Sequence, residues 1–446
     1  MEWRVRVVAS IMTSSQIGED KQCFFSETSN WGQTTTDFVF QENTDESRLL
    51  GKQIYRKNSA LNGTRALFIS LFLPASFPNS VSVDYLPFQF WDSLQASSSY
   101  IRGIITTKAI LSGVGVGNMY ASSTSATMQW IFRDGCGMLG GLVFAWSRST
   151  DFGVNVKQWR FFADISNDIG LTFELLSPMF PHYFLLLACM GSICRALCGV
   201  AAGATRAGIL SHFSQGNQNV IADLSAKEGV QETAVTLFGM VVGYMISPYM
   251  SVGFQDVNKT LFTWIIFFIL TIFHVFANFK AVKALQFRTL NVSRLQIVCE
   301  HFVEYETILT VSEVAVRENI IFPRITRIKL GSKLSDMVRR EKHTVSTQLH
   351  LKTIISPNGE LLEIAVSSNC SAIDIVKSIL QAEYLKFHDC LANRENLKKS
   401  TAFAQQNIEL FTSECRLAGW LLESVPTKYP NYFVFGQFNI FDKKHM

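Results

Sequence analysis

The sequence predicts a mainly α-helical chain, in which a multi-helix, membrane-associated domain is followed by a small α+β C-terminal domain. Hydrophobic residues make up 48% of the 446 residues and charged residues only 17%, and the mean hydropathy is +0.17. Long uncharged stretches lie before residue 286, whereas charges and alternating patterns return after it. We therefore expect a mobile N-terminal arm over residues 1–66, a helical, membrane-embedded domain over residues 67–285 and a soluble α+β domain over residues 286–446.

The N-terminal arm and the first helix are predicted from composition and from proline positions. Residues 13–64 are rich in Ser, Thr, Asn, Gln and Glu without sustained periodicity, which favours a mobile arm or an irregular surface segment. Prolines then interrupt helix formation as far as Pro87. Beyond Pro87 the larger residues fall at helical spacing, so we expect a helix to begin there, with Phe88, Trp91, Leu94 and Gln95 on it.

Two glycine-rich blocks follow, over residues 109–132 and 134–146. The first contains Gly113, Gly115 and Gly117, a spacing that superficially resembles a phosphate-binding loop. No strand pattern precedes it, the third glycine is too close, and no Lys-Ser or Lys-Thr pair follows. Both blocks place small residues beside large apolar ones. They predict helices that pack closely against one another.

The best transmembrane candidate is Thr260–Phe279. It carries no formal charge between Lys259 and Lys280, and about 20 residues suffice to cross a bilayer. Basic residues follow it, so the positive-inside rule predicts a cytosolic C-terminal side. The alternative is a buried hairpin helix of a soluble α-domain.

The C-terminal third shows helix and strand periodicities in turn. Leu295 to Leu309 predicts an amphipathic helix. Gln348–Val366 alternates apolar and polar residues around Asn358-Gly359, which predicts a β-hairpin. Two further helices are predicted, over Ile373–Tyr384 and Phe403–Leu422.

A polar island, Gly199–Glu232, lies between two stretches without charged side chains, Leu175–Cys194 and Thr233–Gln255. Ionisable groups among apolar helices need partners or a function. One hypothesis is a polar cavity for a small solute or a partner helix. The alternative is structural, with Asp223 or Ser225 capping the start of a helix. The candidate ligand-binding residues are Arg206, Asn219, Asp223, Lys227 and Glu232.

Asp164 and Asp168 are four residues apart and would share one face of a helix, so they are weak candidates for binding Mg²⁺ or Ca²⁺. The competing interpretation is an ordinary i,i+4 ion pair between Arg160 and Asp164. No residue is predicted to be catalytic.

Other function classes receive little support from the composition. The net charge of +4 is spread thinly, which gives nucleic-acid binding no basis. Nine cysteines form no CxxC pair, which predicts reduced, structural thiols. The expected partners are a lipid membrane and a protein bound through the C-terminal domain.

Several motifs in series resemble the root UVB-sensitive (RUS) protein family over Leu73–Gly243. They are LPASFPNSVSVDYLPFQFWDSLQA, AILSGVGVG, DGCGMLG, WRFFADISNDIG, GVAAGATRA and NVIADLSAKEGVQET. The resemblance implies a eukaryotic, membrane-associated protein with no settled activity and no accepted catalytic residues. Some plant relatives are linked to vitamin B6 physiology, which implies a conceivable pyridoxal phosphate connection. The sequence carries no motif for that cofactor, so the cofactor stays unknown.

The leading hypothesis is a membrane-associated binding, scaffold or transport component. The alternative is a metal-dependent or cofactor-linked enzyme that uses Asp164, Asp168 and the Asp223–Glu232 helix. A third hypothesis is an adaptor that binds partners through residues 286–446.

Overall fold

The computed structural model describes residues 6–10, 22–28, 34–41, 52–54, 67–116, 122–252, 256–321, 327–340, 353–358, 361–388, 394–423 and 434–435. The chain forms two compact units. The first consists of Met1–Tyr85 and Leu210–Leu237, and the second of Leu86–Ile209 and Phe238–Met446. We describe each unit separately.

The first unit begins with strands in the segment that the sequence predicts to be a mobile arm. Strands β1 to β4 pair as an antiparallel meander in the order β1-β2-β3-β4. In the longest pairing, between β2 and β3, Phe25 lies opposite Phe38. The four strands are Arg6–Ser10, Gln22–Thr28, Thr34–Gln41 and Lys52–Ile54.

Six long helices follow the strands, and α4 and α5 have residues in both units. They confirm the prediction of a mainly helical chain. Pro87 lies in the first turn of α1, where its missing N–H is not needed, so the helix begins slightly before the predicted point. The helices are α1 Tyr85–Val114, α2 Ser123–Arg148, α3 Val156–Leu176, α4 Phe184–Phe213, α5 Gln218–Ile246 and α6 Val257–Ala284.

Close helix contact at glycine, as predicted for the glycine-rich blocks, is found where α4 meets α2 and α3. Gly137 and Gly140 of α2 face Ser192 and Ile193 of α4. At Gly170 of α3, an added Cβ would lie 2.9 Å from the Gly191 carbonyl oxygen of α4. The two backbones approach too closely there for any side chain.

Within the part of the chain that the structure describes, three helical segments are long and apolar enough to cross a membrane. One of them is α6, which contains the predicted span Thr260–Phe279. The other two, Pro181–Phe213 and Gln218–Tyr249, run through the polar island that the sequence analysis set apart. Both carry glycine, which interrupts the apolar pattern without interrupting the helix.

The C-terminal α+β part has a core of its own within the second unit. Strand β7 is central, antiparallel to β6 and parallel to β5 and β8. The β6–β7 pair confirms the predicted hairpin. The core side chains extend from Leu290 to Leu422. The elements are α7 Val292–Tyr305, α8 Val311–Arg317, β5 Ile328–Leu330, α9 Leu334–Arg340, β6 Thr353–Asn358, β7 Leu361–Ser367, α10 Ala372–Phe387, α11 Arg394–Leu417 and β8 Val434–Phe435.

Candidate functional site

Helix α6 presents large apolar side chains outward and polar side chains inward. Ile272 is 70% exposed, whereas His274 is 0% and Asn278 is 2% exposed. This arrangement is the reverse of a helix on a water-soluble protein, which hides its apolar face. The polar face of α6 therefore belongs to the interior of the second unit. The exposed apolar residues of α6 include Leu261, Ile265, Phe268, Ile269 and Phe276.

Helix α3 faces α6 and carries a row of ionisable side chains. Lys157, Arg160, Asp164 and Asp168 recur every three or four residues, so they share one face of the helix. The exposed fraction is 1% for the Lys157 side chain, 18% for Arg160, 8% for Asp164 and 7% for Asp168. We call these four residues the polar column. Each member pairs with an opposite charge.

Asp168 is the centre of the most deeply buried group. Arg102 Nη1 of α1 lies 2.5 Å from its carboxylate, and His274 Nδ1 of α6 lies 3.0 Å away. Gln95 Nε2, two turns before Arg102 on α1, lies 2.7 Å from His274 Nε2. Arg102 also donates to Thr271 Oγ1 at 3.2 Å. Three helices thus contribute to one buried cluster of a cation, a carboxylate and an imidazole, the Asp168 core.

The protonation pattern of the Asp168 core follows from its donors and acceptors. With the Gln95 amide nitrogen facing Nε2, the neutral imidazole of His274 accepts there and donates from Nδ1 to Asp168. Arg102 Nε and Nη2 have no hydrogen-bond partner among the described atoms, although the side chain is fully buried. Arg102 therefore has two N–H groups left to donate to a buried hydrogen-bond acceptor.

A second group surrounds Asp164, one turn before Asp168. Arg160 lies 2.9 Å from Asp92 of α1 and 3.9 Å from Asp164, which confirms the predicted i,i+4 pair. Neither Asp164 Oδ2 nor Asn278 Nδ2 finds a hydrogen-bond partner within the described ranges. Among the described residues, no three His, Cys, Asp or Glu side chains come together as metal ligands would.

The polar column begins with an ion pair to the C-terminal α+β part. Lys157 Nζ lies 2.8 Å from Glu318 Oε2, and Arg294 Nη2 lies 3.0 Å from Glu318 Oε1. Burial alone would raise the pKa of Glu318, but the positive charges of Arg294 and Lys157 outweigh it and lower the pKa below its ordinary value. Glu318 is therefore held as a carboxylate between two cations.

Two of the predicted site residues of the polar island contact the backbone of a neighbouring segment, and a ligand-binding role for the five residues stays a prediction. In the first unit, Asp223 accepts a hydrogen bond from the Ala75 backbone N–H at 2.7 Å, and Lys227 donates to the Ser70 carbonyl oxygen. Both side chains thus hold the segment before α1 against α5 by way of its backbone. Asn219 and Glu232 are exposed on α5. Arg206 is half-buried on α4, in the second unit.

The expectation that Asp223 or Ser225 begins a helix is wrong. Helix α5 begins at Gln218, so both residues lie inside it. The turn before α5 contains Gln215 and Gly216 with positive φ values of 51° and 83°. Asn217 Oδ1 then accepts from the Asn219 backbone N–H at 3.1 Å and begins the helix.

The sequence analysis missed His274 and placed Gln95 on the first helix without a role. Arg102 can be read from the sequence either as a ligand contact or as a structural partner of nearby polar residues. One local signal was available, because His274 and Asn278 interrupt an otherwise apolar run at helical spacing. Their partners could not be found from that signal, since Gln95 and Asp168 lie 179 and 106 residues away from His274.

The fold and the Asp168 core together define a helical protein with a paired, ionised interior and three helices apolar enough to cross a membrane. A family model described as the vitamin B6 photo-protection and homoeostasis domain matches residues 58–306. The chain is 33% identical over 395 residues to protein root UVB sensitive 3 of Arabidopsis thaliana, covering 83% of this chain and 86% of that protein. The chain belongs to the root UVB-sensitive family.

Two further relatives extend the comparison. RUS family member 1 of Dictyostelium discoideum is 42% identical over 297 residues, which are 66% of this chain and 55% of that protein. Protein root UVB sensitive 5 of Arabidopsis thaliana is 28% identical over 396 residues, which are 82% of this chain and 76% of that protein. No solved structure matches the chain.

Proposed function

We propose that the chain is a membrane-embedded binding or transport component, and that the Asp168 core is where it meets a small polar solute. The observation that carries the proposal is the full burial of Arg102 of α1 and His274 of α6 beside Asp168 of α3. The opposite face of α6 is apolar and exposed. Ionisable side chains at membrane depth usually face a bundle interior and serve ion or solute pathways.

The lengths of the helices support a position near the middle of a bilayer. Helix α6 has 28 residues and would extend about 42 Å, more than the ~30 Å hydrocarbon core. His274 lies nine residues before Lys283, about 14 Å along the helix axis. Lys280 and Lys283 then favour a cytosolic C-terminal side, as the sequence predicts.

We propose vitamin B6 as a candidate solute of the chain and not as a permanently bound cofactor. Covalent attachment of pyridoxal phosphate needs a lysine that faces a pocket. Among the described residues, the buried or half-buried lysines near the helices are engaged otherwise. Lys108 donates to two backbone carbonyls, Lys157 pairs with Glu318, Lys227 donates to Ser70 and Lys283 donates to the Val316 carbonyl oxygen. These contacts do not fit a Schiff-base site.

The enzyme alternative receives less support from the geometry. Asp164 and Asp168 contact Arg160, Arg102 and His274, so neither carboxylate is arranged with the other as a metal pair. A protein partner for the C-terminal α+β part stays a prediction.

Membrane embedding is tested by washing membranes with alkaline carbonate. The proposal expects the chain to stay in the pellet, and recovery in the supernatant would contradict it.

The solute role is tested in liposomes that contain the purified chain. Uptake of small polar solutes, including pyridoxine and pyridoxal phosphate, should be saturable and should be lost in the double variant Arg102→Met with Asp168→Leu, which removes both buried charges together. The control is Glu395→Gln, which removes the charge from an exposed ion pair with Lys399.

A further inference from the structure

The interface of α1, α3 and α6 changes character at the Asp168 core. From Lys157 to Asp168, over about 16 Å of α3, the side chains that face α1 and α6 include the polar column. Beyond Asp168 the same interface is buried and mainly apolar, and the buried hydroxyls of Thr106 and Thr263 donate to backbone carbonyl oxygens. We call this second region the apolar plug, made of Ile105, Ala109, Leu171, Leu175, Met250 and Phe267.

Arg102 marks the boundary between the two regions. Its guanidinium lies over the Phe267 ring, 6.0 Å from the ring centre, while Nη1 pairs with Asp168. Glu174, further along α3, faces α2 and α4 instead, where it pairs with Arg133 at 2.6 Å and Arg195 at 3.3 Å. It therefore does not interrupt the plug.

Several buried polar atoms on the column side of the plug have no hydrogen-bond partner in the described part of the chain, although Arg160 Nε and Asp164 Oδ2 face each other as an ion pair at 3.9 Å. Within the described ranges they include Arg102 Nε and Nη2, Arg160 Nε, Asp164 Oδ2 and Asn278 Nδ2. Both donors and an acceptor are present. Buried groups of this kind are normally satisfied by internal water when the protein offers no partner. These atoms lie on α1, α3 and α6, and the two residues of α3 among them are one helical turn apart.

A cavity of about 590 Å³ lies at the other end of the polar column. Gln158 of α3 lines it, together with side chains of α7 and the end of α8, and Glu318 lies in its wall. Glu318 is also the partner of Lys157, the first residue of the column. The cavity and the column therefore meet at one ion pair.

The charges of the buried polar column and its partners cancel one another, whereas the cavity wall adds Glu300, Glu304 and Arg317. Lys157, Arg160, Arg102 and Arg294 supply four positive charges, and Asp164, Asp168, Asp92 and Glu318 supply four negative charges. A balanced route concentrates neither anions nor cations. His274 is the neutral titratable group at its end, facing Asp168 and Gln95. Water and a proton suit such a route better than a metal ion or a free anion.

We propose that the cavity and the polar column form a hydrated entry path for protons, open on the side of the C-terminal α+β part and closed by the apolar plug. The inference rests on the proposed function and names the ion that would couple to it. A proton delivered by water binds His274 Nε2, which breaks the hydrogen bond from the Gln95 amide nitrogen. The Gln95 amide then turns so that its oxygen accepts from Nε2, and the imidazolium is held between this oxygen and Asp168.

The test is radiolytic hydroxyl-radical labelling of the wild-type chain in detergent micelles, read residue by residue by mass spectrometry. His274 and Phe267 are both 0% exposed, lie two turns apart on α6 and both react with radicals formed from nearby water. The path predicts that His274 is oxidised several-fold faster than Phe267. Equal rates, or faster oxidation of Phe267, would overturn it.

A variant makes the test independent of intrinsic reactivity. Asn278→Leu keeps the side-chain size and removes the Nδ2 group, which has no hydrogen-bond partner among the described atoms, so oxidation of His274 should fall towards the Phe267 rate. Unchanged labelling of His274 would count against the path.

If His274 is labelled but liposomes show no solute uptake, the path stands and transport fails. If uptake occurs while His274 and Phe267 are labelled equally, transport stands and the path fails.

Discussion

Gln95 Nε2 lies 2.7 Å from His274 Nε2, although 179 residues separate the two in the chain. Because His274 also contacts Asp168, a single buried imidazole ties α6 to both α1 and α3. The Asp168 core is therefore a structural joint as well as a candidate site, and its two roles have to be separated by experiment.

Removing the Asp168 charge should destabilise the chain strongly. Asp168→Asn leaves the fully buried Arg102 without its counterion, and breaking a buried pair from one side costs about 3–5 kcal/mol. Thermal unfolding in detergent should show a large fall in the midpoint. Glu395→Gln, which disrupts a pair whose side chains are 63% and 69% exposed, should leave the midpoint unchanged. A midpoint for Asp168→Asn equal to that of the control would refute the ion pair.

Glycine at the crossing of α3 and α4 should be intolerant of substitution. An added Cβ at Gly191 would lie 2.7 Å from Glu174 Cγ and 2.9 Å from the Gly170 carbonyl oxygen. Gly191→Ala should therefore lower the free energy of unfolding by about 1–3 kcal/mol. Gly199 is on the same helix with nothing within 4 Å of an added Cβ, so Gly199→Ala should stabilise the chain by about 0.5–1 kcal/mol. If both variants changed the free energy of unfolding in the same direction, the close approach of α3 and α4 at Gly191 would be contradicted.

Glu318 should make the chain sensitive to acid. Its pKa lies below the ordinary value of 4.5, so its contribution to stability is complete above that pH and is lost as the pH falls through the lowered pKa. The unfolding midpoint of the wild type should exceed that of Glu318→Gln at neutral pH. The difference should shrink as the pH falls below 4.5 and through the lowered pKa. A constant difference across this range would mean that Glu318 is not held as a carboxylate.

The orientation of the C-terminal part can be tested with its own cysteines. Cys370 is partly exposed, whereas Cys299 in the same part is fully buried and burial raises the pKa of its thiol well above the ordinary value. An impermeant thiol reagent on the cytosolic side of sealed membranes should modify Cys370 and spare Cys299. Modification of Cys370 only from the opposite side would reverse the proposed orientation.

Much of the fold could be predicted because local patterns specify it. The apolar run of α6 and the alternation around Asn358 each require only a few neighbouring residues. The start of α5 could not be predicted from capping residues alone. Ser225 resembles a cap, but the backbone turns earlier, at Gly216, where a positive φ suits glycine.

The Asp168 core could be predicted only in part. Asp168 was recognised by its spacing from Asp164, and the ion pair of Arg160 with Asp164 was expected. What the sequence could not supply was the long-range pairing of Asp168 with Arg102 and His274, which depends on how three distant helices pack. The polarity of the island around Asp223 gave a stronger local signal, but those side chains bind the backbone of a neighbouring segment.

The most direct test of the central claim replaces the buried pair by apolar residues of similar size, in the double variant Arg102→Met with Asp168→Leu. Such replacements are often neutral or stabilising, so the double variant should unfold close to the wild-type midpoint. We expect it to lose the saturable solute uptake of the wild-type chain in liposomes. Uptake that persists in the stable double variant would show that the buried charges only join the helices.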